Sequence, residues 1–208
     1  MGKGYRTGFL VILFLILVIM GTYYASNHFF NHKKKDSFSV VVDKINDYGY
    51  TLDERDSKVM RKTFKELKKV LKKDKVDDKE YANLLAELYI IDLYDINNKV
   101  NKYDVPCLEY IYPNEVDKFK SMIKDDFYSR LEDNSDKDRK QELPTVKSIS
   151  VTSTEEDTIK VGEEEKNGYV VLVEWTYDKD LGFDNKAKVS LVKDDTKLYV
   201  VKHTPIMD

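Results

Sequence analysis

The spacing of apolar residues changes at Pro144. Before it they recur every three or four positions, as on one face of a helix; after it they recur every second position, as on one face of a strand. Helices first and strands afterwards predict an α+β domain. The strands follow one another through short connections, so the sheet should be an antiparallel meander, because parallel neighbours need crossovers of about a dozen residues or more.

Three helices are expected. The first opens at Thr51, where Thr51 and Glu54 have capping-box spacing, and its buried face is Met60, Phe64, Leu67 and Leu71. Arg61, Lys62, Lys65, Lys68, Lys69, Lys72 and Lys73 occupy its other faces. The second opens at Asp77, with Glu80 three positions on, and is apolar over more than half its circumference, which marks a central core helix. Asp92 falls inside its broadest apolar sector, between Tyr81 and Leu85, and is the most unusual residue of the chain. A third helix is predicted from an Asn114 N-cap, with Val116, Phe119, Ile123, Phe127 and Leu131 as its buried face. The polar segment from Glu132 to Glu142 reads as a mobile loop.

Weak strands are expected at 145–153 and 157–161, a strong one at 168–178, and two more at 185–193 and 197–203. Asn167-Gly168 supplies a turn signal before the strong strand, and Asp194-Asp195-Thr196 joins the last two. Between residues 36 and 50, strand and helix both remain open.

The N-terminal end is of a different kind. Phe9 to Met20 is an unbroken apolar run, and Thr7 to Asn27 carries no charge, about the length that crosses a bilayer. Tyr5 on one side and Tyr23 with Tyr24 on the other suit the interfaces. Cleavage after Ala25 would set Tyr23 where a small residue is wanted, so an uncleaved signal anchor is expected. The resulting organisation is a short basic tail at 1–6, a transmembrane anchor at 7–27, a juxtamembrane linker at 28–50 and a folded domain at 51–208. Lys3 and Arg6 nearly balance Lys33, Lys34 and Lys35 across the span, so flanking charge leaves orientation open. A short tail before a large domain is the signal-anchor arrangement, which puts the C-terminal domain outside the cytoplasm.

Charge excludes one partner class. Residues 36–208 hold 30 basic and 38 acidic groups, a net of −8, and phosphate neutralisation needs the opposite sign, so nucleic acid is not expected. One cysteine rules out a disulfide framework and a cysteine-based zinc site, and three histidines leave little for a metal. His28 and His32 have ligand spacing but no acid nearby and read as membrane-interface residues, while Cys107 reads as a small buried hydrophobe. No phosphate loop, dinucleotide fingerprint, nucleophile elbow, zinc-protease or calcium-loop pattern is present. No metal or cofactor is expected.

Three helices, the second very apolar, followed by an antiparallel sheet rich in aromatics resemble the NTF2-like (cystatin-like) superfamily over residues 51–203. The segments YGYTLDERD and EWTYDKDLGFD are similar to stretches in membrane-anchored Firmicutes proteins; the dominance of Lys over Arg, 30 to five, and only four Ala suit a low-GC genome. The resemblance implies helices packed on a curved sheet that enclose a cone able to hold a ligand, catalyse or mediate assembly, so fold alone does not choose the function.

The candidate ligand-pocket residues are Asp92, Tyr94, Tyr110, Tyr112, Trp175 and Tyr177, a carboxylate among aromatics of the kind the resemblance associates with acid or base chemistry. The alternative for Asp92 is a structural role, accepting hydrogen bonds from a tyrosine or from loop amides. Lys62, Lys65, Lys69, Lys72 and Lys73 are candidates for binding an anionic surface, lipid headgroup or wall polymer, or simply a solvated face. The expected function is a non-enzymatic scaffold or interaction domain of the bacterial cell envelope, with a protein partner or second copy. Its alternatives are a small-ligand sensor using the cone and a pocket enzyme using Asp92.

Overall fold

The structure, a computed structural model, describes residues 39–206. The expected tail, the anchor at 7–27 and the start of the linker lie outside the described residues. Among the described residues no helix is long and apolar enough to cross a membrane.

The domain opens with a hairpin. Strands β1 (Val41–Ile45) and β2 (Tyr50–Asp53) pair antiparallel, joined through a short turn that Gly49 closes at φ +71°. Helix α1 (Lys58–Val70) packs on α2 (Asp78–Tyr94), and a single turn, Pro113–Glu115, leads into α3 (Val116–Met122). The remaining strands, β3 (Val146–Val161), β4 (Glu164–Tyr177), β5 (Lys186–Asp194) and β6 (Lys197–Pro205), form one antiparallel sheet in chain order. The described residues are thus α+β, with three helices and a four-stranded antiparallel meander. Helix α2 touches every strand of that sheet.

Helix α2 is central because its sides are apolar nearly all round: Tyr81, Ala82, Leu85, Ala86, Leu88, Ile90 and Ile91 have no exposed surface. Asp77 caps it as expected, accepting from the amides of Lys79 and Glu80 at 3.0 Å each. Glu80 pairs with Lys73. Opposite α2, the predicted inward residues Val171, Val173 and Trp175 are buried, flanked by the partly buried Tyr169 and Tyr177.

Several boundaries differ from the sequence expectation. Thr51 does not start a helix: it pairs with Lys44 in β2, and its amide and hydroxyl both donate to Glu109, so neither is free to cap. The cap of α1 is Ser57, whose hydroxyl accepts from the Met60 amide at 3.2 Å. Asn114 lies within the turn before α3 and caps nothing. After Met122 the helix widens, and the Tyr128 amide reaches the Ile123 carbonyl at 2.7 Å. That widening accompanies a buried Tyr128 whose hydroxyl donates to Leu93, and it leaves Phe127 at the surface instead of in the expected apolar face.

The two weak strands are one continuous β3, paired with β4 along its length across two register shifts. The turn between them is Gly162-Glu163, with Gly162 at φ +63°, and not Asn167-Gly168. Gly168 is inside β4, where a Cβ would lie 2.1 Å from the Leu191 carbonyl oxygen; close approach of β5 requires the glycine. Residues 158–161 and 164–167 pair only with one another, so the β3–β4 hairpin extends beyond β5 as a two-stranded arm. The expected turn at Asp195-Thr196 is present, with Asp195 at φ +55°.

Candidate functional site

The six pocket candidates fall in three places. Tyr94, Trp175 and Tyr177 form one buried aromatic cluster, with the Tyr94 and Trp175 ring centres 4.8 Å apart. Its hydroxyls are spoken for: Trp175 donates to the Tyr177 oxygen at 2.7 Å, Tyr177 donates to the Asp184 carbonyl at 2.5 Å, and Tyr94 donates to the Asp184 carboxylate at 3.3 Å. Tyr112 stands at the edge of the sheet against Tyr199, where its hydroxyl donates to Asp194. Asp92 and Tyr110 line one cleft together, and the other four do not line it.

That cleft measures about 160 Å³ and is built by β2, the β2–α1 turn, the end of α2 and the loop from Asn98 to Tyr110. No residue of the four-stranded sheet lines it. The sequence expectation of a carboxylate inside a cone between α2 and the sheet is therefore not what the structure forms. The space between α2 and the sheet is occupied by side chains such as Tyr81, Leu85, Tyr89, Val173 and Leu191.

Two ion pairs organise the cleft. Lys99 donates to Asp92 at 2.5 Å, and Arg55 grips Asp104 through both terminal nitrogens, at 2.6 and 3.4 Å. Asp92 also accepts from the Cys107 amide at 2.6 Å, which places it in the structural role of binding a loop amide. Burial pulls the Lys99 ammonium down, but the neighbouring Asp92 charge and hydrogen bond outweigh it, so Lys99 is held above its ordinary value. The loop turns sharply here, with Cys107 at φ +64° and its thiol donating to the Tyr89 carbonyl at 3.3 Å. Burial raises that thiol well above the ordinary cysteine range, so it is neutral and unreactive.

Two further carboxyls face the cleft. Burial raises Glu109 to about 7 despite its two hydrogen bonds from Thr51, and raises Asp56 to about 6 despite one from the Asp53 amide. Asp92 adds to both shifts as a like charge. The cleft thus offers two fixed ion pairs and two carboxyls that exchange protons near neutrality. Among the described residues no group of three or more acidic, histidine or cysteine side chains is arranged to hold a metal ion.

Sequence reasoning missed Lys99, Arg55, Asp104, Glu109 and Asp56. One signal was present: arginine is scarce in this lysine-dominated chain, and three of its five arginines sit where a planar multidentate donor gathers several acceptors. Arg55 binds Asp104 and the Asn98 carbonyl, Arg61 gathers the carbonyls of Asp53, Glu54 and Asp56, and Arg139 gathers those of Asn97 and Lys99. Arg139 thereby ties the 132–142 segment, which has neither helix nor strand, to the rim of the site.

Of the basic candidates, Lys62, Lys65 and Lys69 lie on α1, and Lys72 and Lys73 in the turn that follows it. Lys62, Lys65, Lys69, Lys72 and Lys73 are all exposed, opposite the buried Met60, Phe64 and Leu67. Lys62 stands 4.0 Å from Glu66 and Lys73 2.8 Å from Glu80; among the described residues Lys65 and Lys69 have no ion-pair partner.

No protein-family model matches the chain, no curated protein matches it, and no solved structure matches it.

Proposed function

We propose that the chain is a membrane-anchored interaction or scaffold domain of a bacterial cell envelope, with an NTF2-like α+β fold displayed outside the cytoplasm. The observation that supports this reading is the filled interior. Where a cone-type fold would keep a ligand, buried aromatic and aliphatic side chains of α2 and the sheet meet instead. A domain without that cavity works through its surface, and this surface carries separate concentrations of opposite charge. Lysines crowd α1, while Glu155, Glu156, Asp157, Glu163, Glu164 and Glu165 crowd the β3–β4 hairpin. Asp92 is committed to Lys99 and the Cys107 amide, which argues against a role as a free catalytic acid.

Association tests the proposal. The full chain, extracted in mild detergent and sedimented in an analytical ultracentrifuge, should run as a homo-oligomer or with a stoichiometric membrane partner. Strict monomers with no partner would sink it. Protease access on intact cells tests the placement separately, since a protected domain would reverse it.

A second reading has its own observation. The charged cleft could hold a small cationic group, because Glu109 and Asp56 have two carboxyls ready to exchange a proton for an ammonium. Calorimetric titration of alkylamines at pH 6 and pH 8 tests it. Tighter binding at pH 8, lost in Glu109→Gln, supports a ligand role; no heat at either pH removes it.

A further inference from the structure

We propose that the outer face of α1, formed by Lys65 and Lys69 and continued by Lys72 in the turn that follows, with the exposed segment Val40–Val42 near it, docks on an anionic lipid surface. The inference rests on the reading of residues 7–27 as a membrane anchor and adds which face of the domain meets the bilayer.

Three observations carry it. Lys65 and Lys69 are exposed and unpaired among the described residues, so their charge is available to a partner. The valine segment is tied to this helix through Asp43: one residue past Val42, it forms an ion pair with Lys68 of α1, and the Lys68 hydrogen bond, the Lys44 amide and then the charges of Lys68 and Lys72 lower its carboxyl. Val40, Val41 and Val42 are 57 %, 51 % and 50 % exposed, an apolar strip at the border of a cationic face. That combination is the pattern of an interfacial binder, whose cations meet headgroups while its apolar residues enter the acyl boundary.

Chain length supplies the third. Eleven residues separate Asn27 from Ser39, a reach of at most about 40 Å even when fully extended. A domain on so short a tether stays near the bilayer, where a weak surface contact is made at high effective concentration. Net charge then selects the contact. With −8 over residues 36–208, an anionic surface repels the domain as a whole and admits it only with the α1 face inward.

The full chain is reconstituted in nanodiscs of pure phosphatidylcholine or of 70:30 phosphatidylcholine and phosphatidylglycerol, and lysine acetylation is mapped by mass spectrometry. Lys65, Lys69 and Lys72 should be protected at least threefold in the charged discs, and not in neutral discs or in 0.5 M NaCl. K65E/K69E/K72E should stay in the discs, and Val41→Ser should reduce protection of the three lysines. Equal labelling in both discs by an incorporated chain overturns docking while leaving the anchor intact. Failure of the chain to enter discs overturns the anchor; co-sedimentation with vesicles of the charged composition then decides docking, binding supporting it and absence ending it. Protection only on adding poly(glycerol phosphate), and never from charged lipid, overturns the lipid assignment in favour of a wall polymer.

Discussion

Asp92 shows what a single residue can and cannot disclose. A carboxylate in an apolar helical sector demands a partner, and that demand is visible in the sequence. The partner is not, because α2 ends at Tyr94 and the chain folds back to bring Lys99 and the Cys107 amide together around Asp92. Lys99 is only 11 % exposed, so Asp92→Ala leaves a buried ammonium uncompensated and should cost about 3–5 kcal/mol in urea denaturation. Asp92→Leu with Lys99→Met should cost clearly less than the single change; an equal or larger loss would show that the Cys107 amide, not the ion pair, dominates. The carboxylate that is most buried is another one, Asp95, at 3 % exposure, where it accepts from the Val146 amide and joins the end of α2 to the start of β3.

Buried tyrosines carry a second lesson. Tyr81 read as a plain core residue, yet its oxygen lies 2.5 Å from that of Tyr50 and accepts from the Leu198 amide at 3.2 Å, while Tyr50 donates to the Leu198 carbonyl. Two hydroxyls thereby complete the backbone bonding of β6 from β2 and α2. Tyr81→Phe keeps the ring and should lose about 1–3 kcal/mol, measured by chemical denaturation, because the Leu198 amide is left without a partner. No loss would mean that water replaces the hydroxyl.

At the scale of elements, the strong periodic segments were legible and their ends were not. α2, β4 and β5 follow directly from apolar spacing, because burial decides those residues whatever their neighbours do. β1 and β2 were obscured because their pairing depends on each other and on Glu109, more than 50 residues away in the chain. Gly168 was noticed for the wrong cause. A glycine in a turn tolerates substitution by asparagine, whereas one opposed to the Leu191 carbonyl does not tolerate a Cβ at all. Gly168→Ala should therefore lower the melting temperature by at least several degrees, and by more than Gly162→Asn at the true turn. The reverse order in calorimetry would contradict the register.

The whole molecule has a distinctive response to pH. Glu87, on α2, is raised to about 7 by partial burial and then by the like charge of Glu66 on α1, alongside Glu109 at about 7 and Asp56 at about 6. Each binds its proton more tightly folded than unfolded, so stability rises as pH falls through these values and levels off near the ordinary carboxylate range. His203 acts in the opposite sense: burial lowers it to about 4, so stability is lost as pH falls from 6.5 toward 4. Its Nε2 is buried without a hydrogen-bond partner among the described residues and its Nδ1 lies 3.4 Å from the Tyr89 hydroxyl, so burial outweighs the opposing attraction of Asp184. With these raised carboxyls outweighing His203, the domain should be more stable at pH 6 than at pH 8, by roughly 1–3 kcal/mol in urea melts, and Glu87→Gln should shrink that difference. A stability that rises from pH 6 to pH 8 would refute the balance.

The free edge of β3 has a consequence for crowding. Sixteen residues of strand end the sheet there, long enough to recruit the same strand of another copy into a growing ribbon. Two register shifts break its regularity, and the exposed run Glu155, Glu156, Asp157 sets like charges against any identical neighbour. Copies held at high concentration can therefore collide edge to edge without polymerising. Reversible association is left to side-chain faces, and the charged edge acts as protection against fibre formation.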